Sequence, residues 1–206
     1  MIFREVSAGR VYLQRTQQIL HQTAFEKFMA TFKELTDFFQ QVGAADVSHT
    51  TKSYLAHAIA VHGDLRKWGC DEELQNVGLF HSIYGTERFQ RFTLPLERRD
   101  EVKALIGERA EWLSYLNCAM DRAHFDNEIL KEDDPEGFLD RYTGEVIKLS
   151  SQDEADLNTV HLCDWLEQVG RSKDWNYRRA VYRRLAERLG GVALESYDAV
   201  YASESA

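Results

Sequence analysis

The chain has 206 residues, 44% of them hydrophobic, with two prolines, 12 glycines and a formal net charge of −9 at pH 7. That length suffices for one sizeable core, the scarcity of turn formers argues against an all-β fold, and the acidic balance argues against a phosphate-backbone partner. No apolar run approaches the ~20 residues of a membrane span, and the N-terminal MIFREVSAGR lacks the apolar stretch of a signal peptide. The expectation is a cytoplasmic all-α protein, a single domain over residues 1–206, that binds neither nucleic acid nor membrane. Cys70, Cys118 and Cys163 form no CxxC and are odd in number, the pattern of free thiols in a reducing compartment.

Periodicity is weak over Val11 to Gln22 and sharpens from Thr23, where Thr23 and Glu26 have capping-box spacing. Phe25, Phe28, Met29, Phe32, Leu35, Phe39 and Val42 then form one apolar stripe, which predicts a helix over 24–42. Ser48 or Thr50 is expected to cap the next helix. Two periodic segments, Tyr54 to Trp68 and Leu74 to Tyr84, meet at Gly69-Cys70-Asp71, where glycine ends one helix and aspartate caps the other. A helical wheel puts His57 at the edge of the first segment's apolar face and His62 within it. The second segment is apolar nearly all round, so it is expected at the centre of the fold.

A break at Tyr84-Gly85-Thr86 leads into an arginine-containing loop, and Asp100 is expected to cap a helix over 100–119. The acidic stretch from His124 to Gly137, with Pro135, reads as a surface loop. RYTGEVIKLSS predicts a small β-hairpin, followed by a helix over 152–169 that carries His161 and Asp164. A basic amphipathic helix over 174–189 comes next, with a solvated face or an interface as the reading of its arginines. Gly190-Gly191 then precedes a terminal helix through Tyr201.

His57, 23 intervening residues, and His81 ending a short apolar helix, within GLFHSIYGTERF, resemble the HD-domain superfamily of metal-dependent phosphohydrolases. The resemblance implies an HD-like helical core over residues 45–170, with the helix at 24–42 and a C-terminal extension over 171–206. It also implies a metal site of His57, His81 and a distant aspartate, here Asp164. The chain departs from the pattern at Ser82, which stands where the superfamily has aspartate, so at most one divalent ion is expected. Two imidazoles and one carboxylate suit Fe, Mn or Zn. Glu111, or Glu108, is the candidate general base, and Thr86 and Arg99 are the candidates to hold an anionic group. His49, His62, His124 and His161 are reserve candidates, each more in keeping with a structural place. The implied activity is hydrolysis of a small phosphorylated or otherwise anionic molecule. A mononuclear iron oxygenase and a non-catalytic small-molecule or partner-binding protein are the competing readings.

Overall fold

The computed structural model describes residues 30–49, 51–132 and 136–204. The expectations for residues 1–29, the Thr23 cap among them, lie outside these. Within them the fold is all-α with two small β-hairpins, organised on one continuous core.

Helix α1 spans Phe32–Gln41. The predicted helix over 24–42 is corrected here, because Thr31 is extended at φ −64° and ψ 154° and forms a capping box with Glu34. The Thr31 hydroxyl accepts from the Glu34 amide, and the Glu34 carboxylate accepts from the Thr31 amide at 2.7 Å. Strands β1, Ser48–His49, and β2, Lys52–Ser53, pair antiparallel with His49 opposite Lys52. With Ser48 in a strand, the cap of α2 (Tyr54–Lys67) is Ser53, not Ser48 or Thr50; its hydroxyl accepts from the Ala56 amide.

The chain turns at Gly69-Cys70 as expected, and Asp71 caps α3, Glu72–Phe80, by accepting from the Leu74 amide at 2.9 Å. Residues 81–84 continue as turns, so α3 ends earlier than its apolar run suggests. Val77, Leu79 and Phe80 are fully buried, which places α3 at the centre as predicted. Gly78 lets α2 and α3 approach closely: a Cβ there would lie 2.3 Å from Leu65 Cδ1.

The predicted helix over 100–119 is two helices, α4 (Arg99–Ile106) and α5 (Glu108–Ala119). Gly107 separates them at φ +88°, a left-handed conformation that a continuous helix excludes. Part of the expected acidic loop is helical too, because Asp121 caps α6, Arg122–Leu130, by accepting from the His124 amide. The predicted hairpin is present as β3, Phe138–Leu139, and β4, Val146–Ile147. Helix α7 spans Ser151–Ser172 behind the Ser150 cap. Helix α8, Arg179–Leu189, begins five residues later than predicted, since Arg178 is left-handed at φ +48° and sends its side chain inward. Helix α9, Gly191–Tyr201, ends the described fold.

Candidate metal centre

Helices α2, α3 and α7 meet at three buried side chains. His57 is 0% exposed, His81 1% and Asp164 7%, and a ligand atom of each lies within 4.8 Å of the others. The two histidines and the distant aspartate chosen from the sequence are therefore brought together in the fold. His57 Nε2 lies 3.0 Å from Asp164 Oδ1, and His81 Nε2 lies 3.4 Å from the same oxygen.

The outer nitrogens decide what the inner ones can do. His57 Nδ1–H donates to Glu167 Oε2 at 2.6 Å, and His81 Nδ1–H donates to the Gly78 carbonyl at 2.7 Å. A carboxylate and a carbonyl only accept, so each ring carries a proton on Nδ1 and turns Nε2 toward Asp164. Anchoring the far nitrogen in this way is how proteins orient metal-binding imidazoles. His57 Nε2, although buried, has no aligned hydrogen bond among the described residues. Ligands held ~2.1 Å from one ion at right-angle to tetrahedral angles stand ~3.0–3.4 Å apart, as each imidazole nitrogen does from the Asp164 oxygen. The residues present thus fit a divalent ion.

Electrostatics follow from the packing. Burial alone would push the His57 imidazolium down, but Asp164 and Glu167 outweigh it and hold its pKa up at about 9. Burial likewise opposes the two carboxylates. His81 and His57 nevertheless bring Asp164 well below the usual range, and His57, Lys52 and Arg171 bring Glu167 to about 2. Lys52 Nζ stands 2.8 Å from Glu167 Oε1, and Arg171 also pairs with this carboxylate. Glu167 is the residue that sequence reasoning missed. Its signal was its place on α7 one turn beyond Asp164, where i and i+3 side chains share a face.

The reserve histidines separate. His49 stacks on His57, ring centroids 4.2 Å apart and planes 5° apart, and burial next to that charge brings its pKa to about 4. His161 Nε2 accepts from Arg178 at 2.8 Å, so its proton is on Nδ1, facing Asn117 Oδ1. Asn117 Nδ2 in turn donates to the His81 carbonyl at 2.7 Å. Arg178 is held by Asp126, so a chain of polar contacts from α6 fixes the turn that carries His81. His62, placed inside the apolar face by the wheel, is only half-buried against Phe32, and His57 is the buried one. His124 lies 3.0 Å from the Gly137 carbonyl and away from the cluster.

A cavity of about 280 Å³ opens onto His81, Asp164 and His49, and Ser82 and Thr86 line it. A cavity of about 330 Å³ around His124 and Asn158 contains none of the ligand set. Thr86 reaches the site, but its hydroxyl accepts from the Phe89 amide at 3.0 Å and shapes the loop. Glu111 and Arg99 are not among the residues lining the site cavity. Arg99 forks onto Glu111 at 2.6 and 2.8 Å, Tyr84 donates to the same carboxylate, and Glu108 is exposed. The anion holder and the base chosen from sequence thus neutralise each other in the core. Arg99→Ala is expected to lose about 3–5 kcal/mol of unfolding free energy, because Glu111 stays buried without its cation. Denaturant melts check the loss, and metal affinity should stay within about twofold because the site is separate.

A family model described as a domain of unknown function, DUF6817, matches residues 38–122. The match takes in His57 and His81 and stops short of Asp164 and Glu167. No curated protein and no solved structure matches the chain.

Proposed function

We propose that the chain is a metal-dependent hydrolase related to the HD-domain superfamily, acting on a small phosphorylated molecule with one divalent ion held by His57, His81 and Asp164. The observation that carries this is the convergence of two Nε2 atoms on one carboxylate oxygen, with both Nδ1 atoms anchored elsewhere. Fe(II), Mn(II) and Zn(II) suit two imidazoles and a carboxylate. When bound, such an ion supplies polarisation of a phosphoryl oxygen and makes water a stronger nucleophile at neutral pH.

The chain's own groups do the rest. Glu167 and the Gly78 carbonyl hold the Nδ1 protons, and Asp164 balances the positive charge gathered between the rings. His49 covers the His57 face, and the arginine-containing wall of the cavity favours an anion. That wall favours phosphate-ester hydrolysis over oxygenase chemistry, which the same three ligands would also serve. Ser82 supplies no carboxylate, in keeping with one ion and not two.

The test is metal analysis of tag-free protein, followed by phosphate release from a panel of small phosphomonoesters with Mn(II) and with dissolved oxygen monitored. The expected result is close to one equivalent of metal and oxygen-independent phosphate release, with both lost in Asp164→Ala. Oxygen consumption would move the assignment to an oxygenase. Absence of metal binding would leave a binding module in the same fold.

A further inference from the structure

We propose that Arg122, with Arg88 and Arg91 at the exposed rim, forms an anion subsite in the metal-centre cavity, built to take the phosphate group of the substrate. The inference rests on the reading above for its substrate class, and on separate residues for its geometry. Arg88 and Arg91 come from the loop after α3, and Arg122 is the first residue of α6, so two distant segments deliver three guanidinium groups to one cavity.

The chain carries 34 acidic against 25 basic side chains, and most inward arginines among the described residues are paired with carboxylates, Arg141 being held instead by the Cys118 and Gly85 carbonyls. Arg99 meets Glu111, Arg171 meets Glu167, Arg178 meets Asp126, and Arg109 meets Glu73, Asp153 and Asp156. The cavity set differs. Asp164 is committed to the histidines, and the cavity's other carboxylate, Asp174, stands 3.3 Å from Arg88. Among the described residues Arg91 has only a 3.4 Å contact to the Ser48 carbonyl, and Arg122 Nη1 donates to the Tyr177 hydroxyl at 3.0 Å. Arg88 lies over the Tyr177 ring, 4.1 Å from its centroid.

The local potential registers on that tyrosine. Burial would raise its pKa, yet Arg122, and Arg88 after it, leave it below the usual value. Guanidinium forks match phosphate oxygens in pairs, and the positive charge is not cancelled within the wall. Phe89, Trp165 and Tyr182 supply apolar surface for an organic body. The volume, about 280 Å³, is at the lower end for ligand cavities, which suits a small monophosphorylated molecule and not an oligonucleotide.

Calorimetric titration of the full chain with inorganic phosphate at low salt tests the subsite, first after chelation and then with Mn(II) added. Parent, Arg91→Ala, Arg122→Gln, the double variant and Asp164→Ala are compared, with melts confirming that each is folded. The expected result is phosphate binding without metal, weakened about tenfold by each arginine change and about 100-fold by both, yet retained in Asp164→Ala. Phosphate binding that requires Mn(II) and ignores the arginines would overturn the subsite and leave the metal reading standing. Arginine-dependent phosphate binding with no Mn(II) uptake would do the reverse. No phosphate binding in either condition would overturn the subsite.

Discussion

Affinity for Mn(II) or Zn(II) should rise about tenfold per pH unit from pH 6 to 8 and level off near pH 9, where the His57 proton is lost. In the metal-free protein His57 is an imidazolium between Asp164 and Glu167, and an ion can take Nε2 only by displacing its proton. The same proton stabilises the metal-free fold. Its folded pKa of about 9 lies above the unfolded value near 6.5, so this stabilisation is fully present below pH 6.5 and lost as pH rises through about 9. A shift of that size corresponds to about 3 kcal/mol, shared by the Asp164–His57–Glu167 cluster as a unit. Metal-free melts should therefore weaken between pH 6.5 and 9, while metal-loaded melts gain relative to them. Glu167→Gln removes the carboxylate at Nδ1, so it should flatten the pH slope and lower affinity at pH 8 by about 10–100-fold. An affinity indifferent to pH would mean that His57 gives up no proton and is not a ligand.

The buried cluster of His57, His81 and Asp164 was legible in the sequence through the family resemblance, and periodicity supplied only the helices that carry it. His81 ends an apolar helix, His57 stands one helix earlier behind a capped turn, and Asp164 sits on a long helix with its own apolar face. What was not legible depends on segments meeting in space. His57 sits at the edge of the α2 stripe, and it is buried because His49 of the first hairpin stacks over that edge. Periodicity within α2 contains no trace of that cover. Glu167 shares a helix face with Asp164, but only the packing of α2 against α7 makes it the partner of His57. Arg99 was assigned to a site from its place in a loop, and Glu111 from one continuous helix behind it. The turn at Gly107 re-aims α4 against α5 and closes the two into a buried pair. The helix at Arg122–Leu130 was hidden in a run of acidic residues, although Asp121 was an available cap.

Ser82→Asp is expected to strengthen the response of the protein to metal more than any other single substitution in the cavity. Ser82 is 2% exposed and follows His81, on the wall that also holds Asp164. Its hydroxyl lies close to the Tyr54 hydroxyl, and neither makes an aligned hydrogen bond among the described residues. Space and polarity are thus in place without a negative charge. An aspartate there adds an oxygen ligand beside His81, which borderline and hard divalent ions favour. Without metal the new carboxylate is buried with at most the Tyr54 hydroxyl as donor, so the variant should lose about 1–3 kcal/mol. With Mn(II) at about 100 times its dissociation constant, binding contributes about 2.7 kcal/mol and should offset that loss. Paired melts of parent and variant, each with a chelator and with Mn(II), read both halves at once. The expected pattern is a variant less stable than the parent in chelator and gaining more than the parent from Mn(II). A variant that is destabilised and gains nothing from Mn(II) would show that His57, His81 and Asp164 do not gather an ion. The pocket would then stand as a binding site for small anions alone.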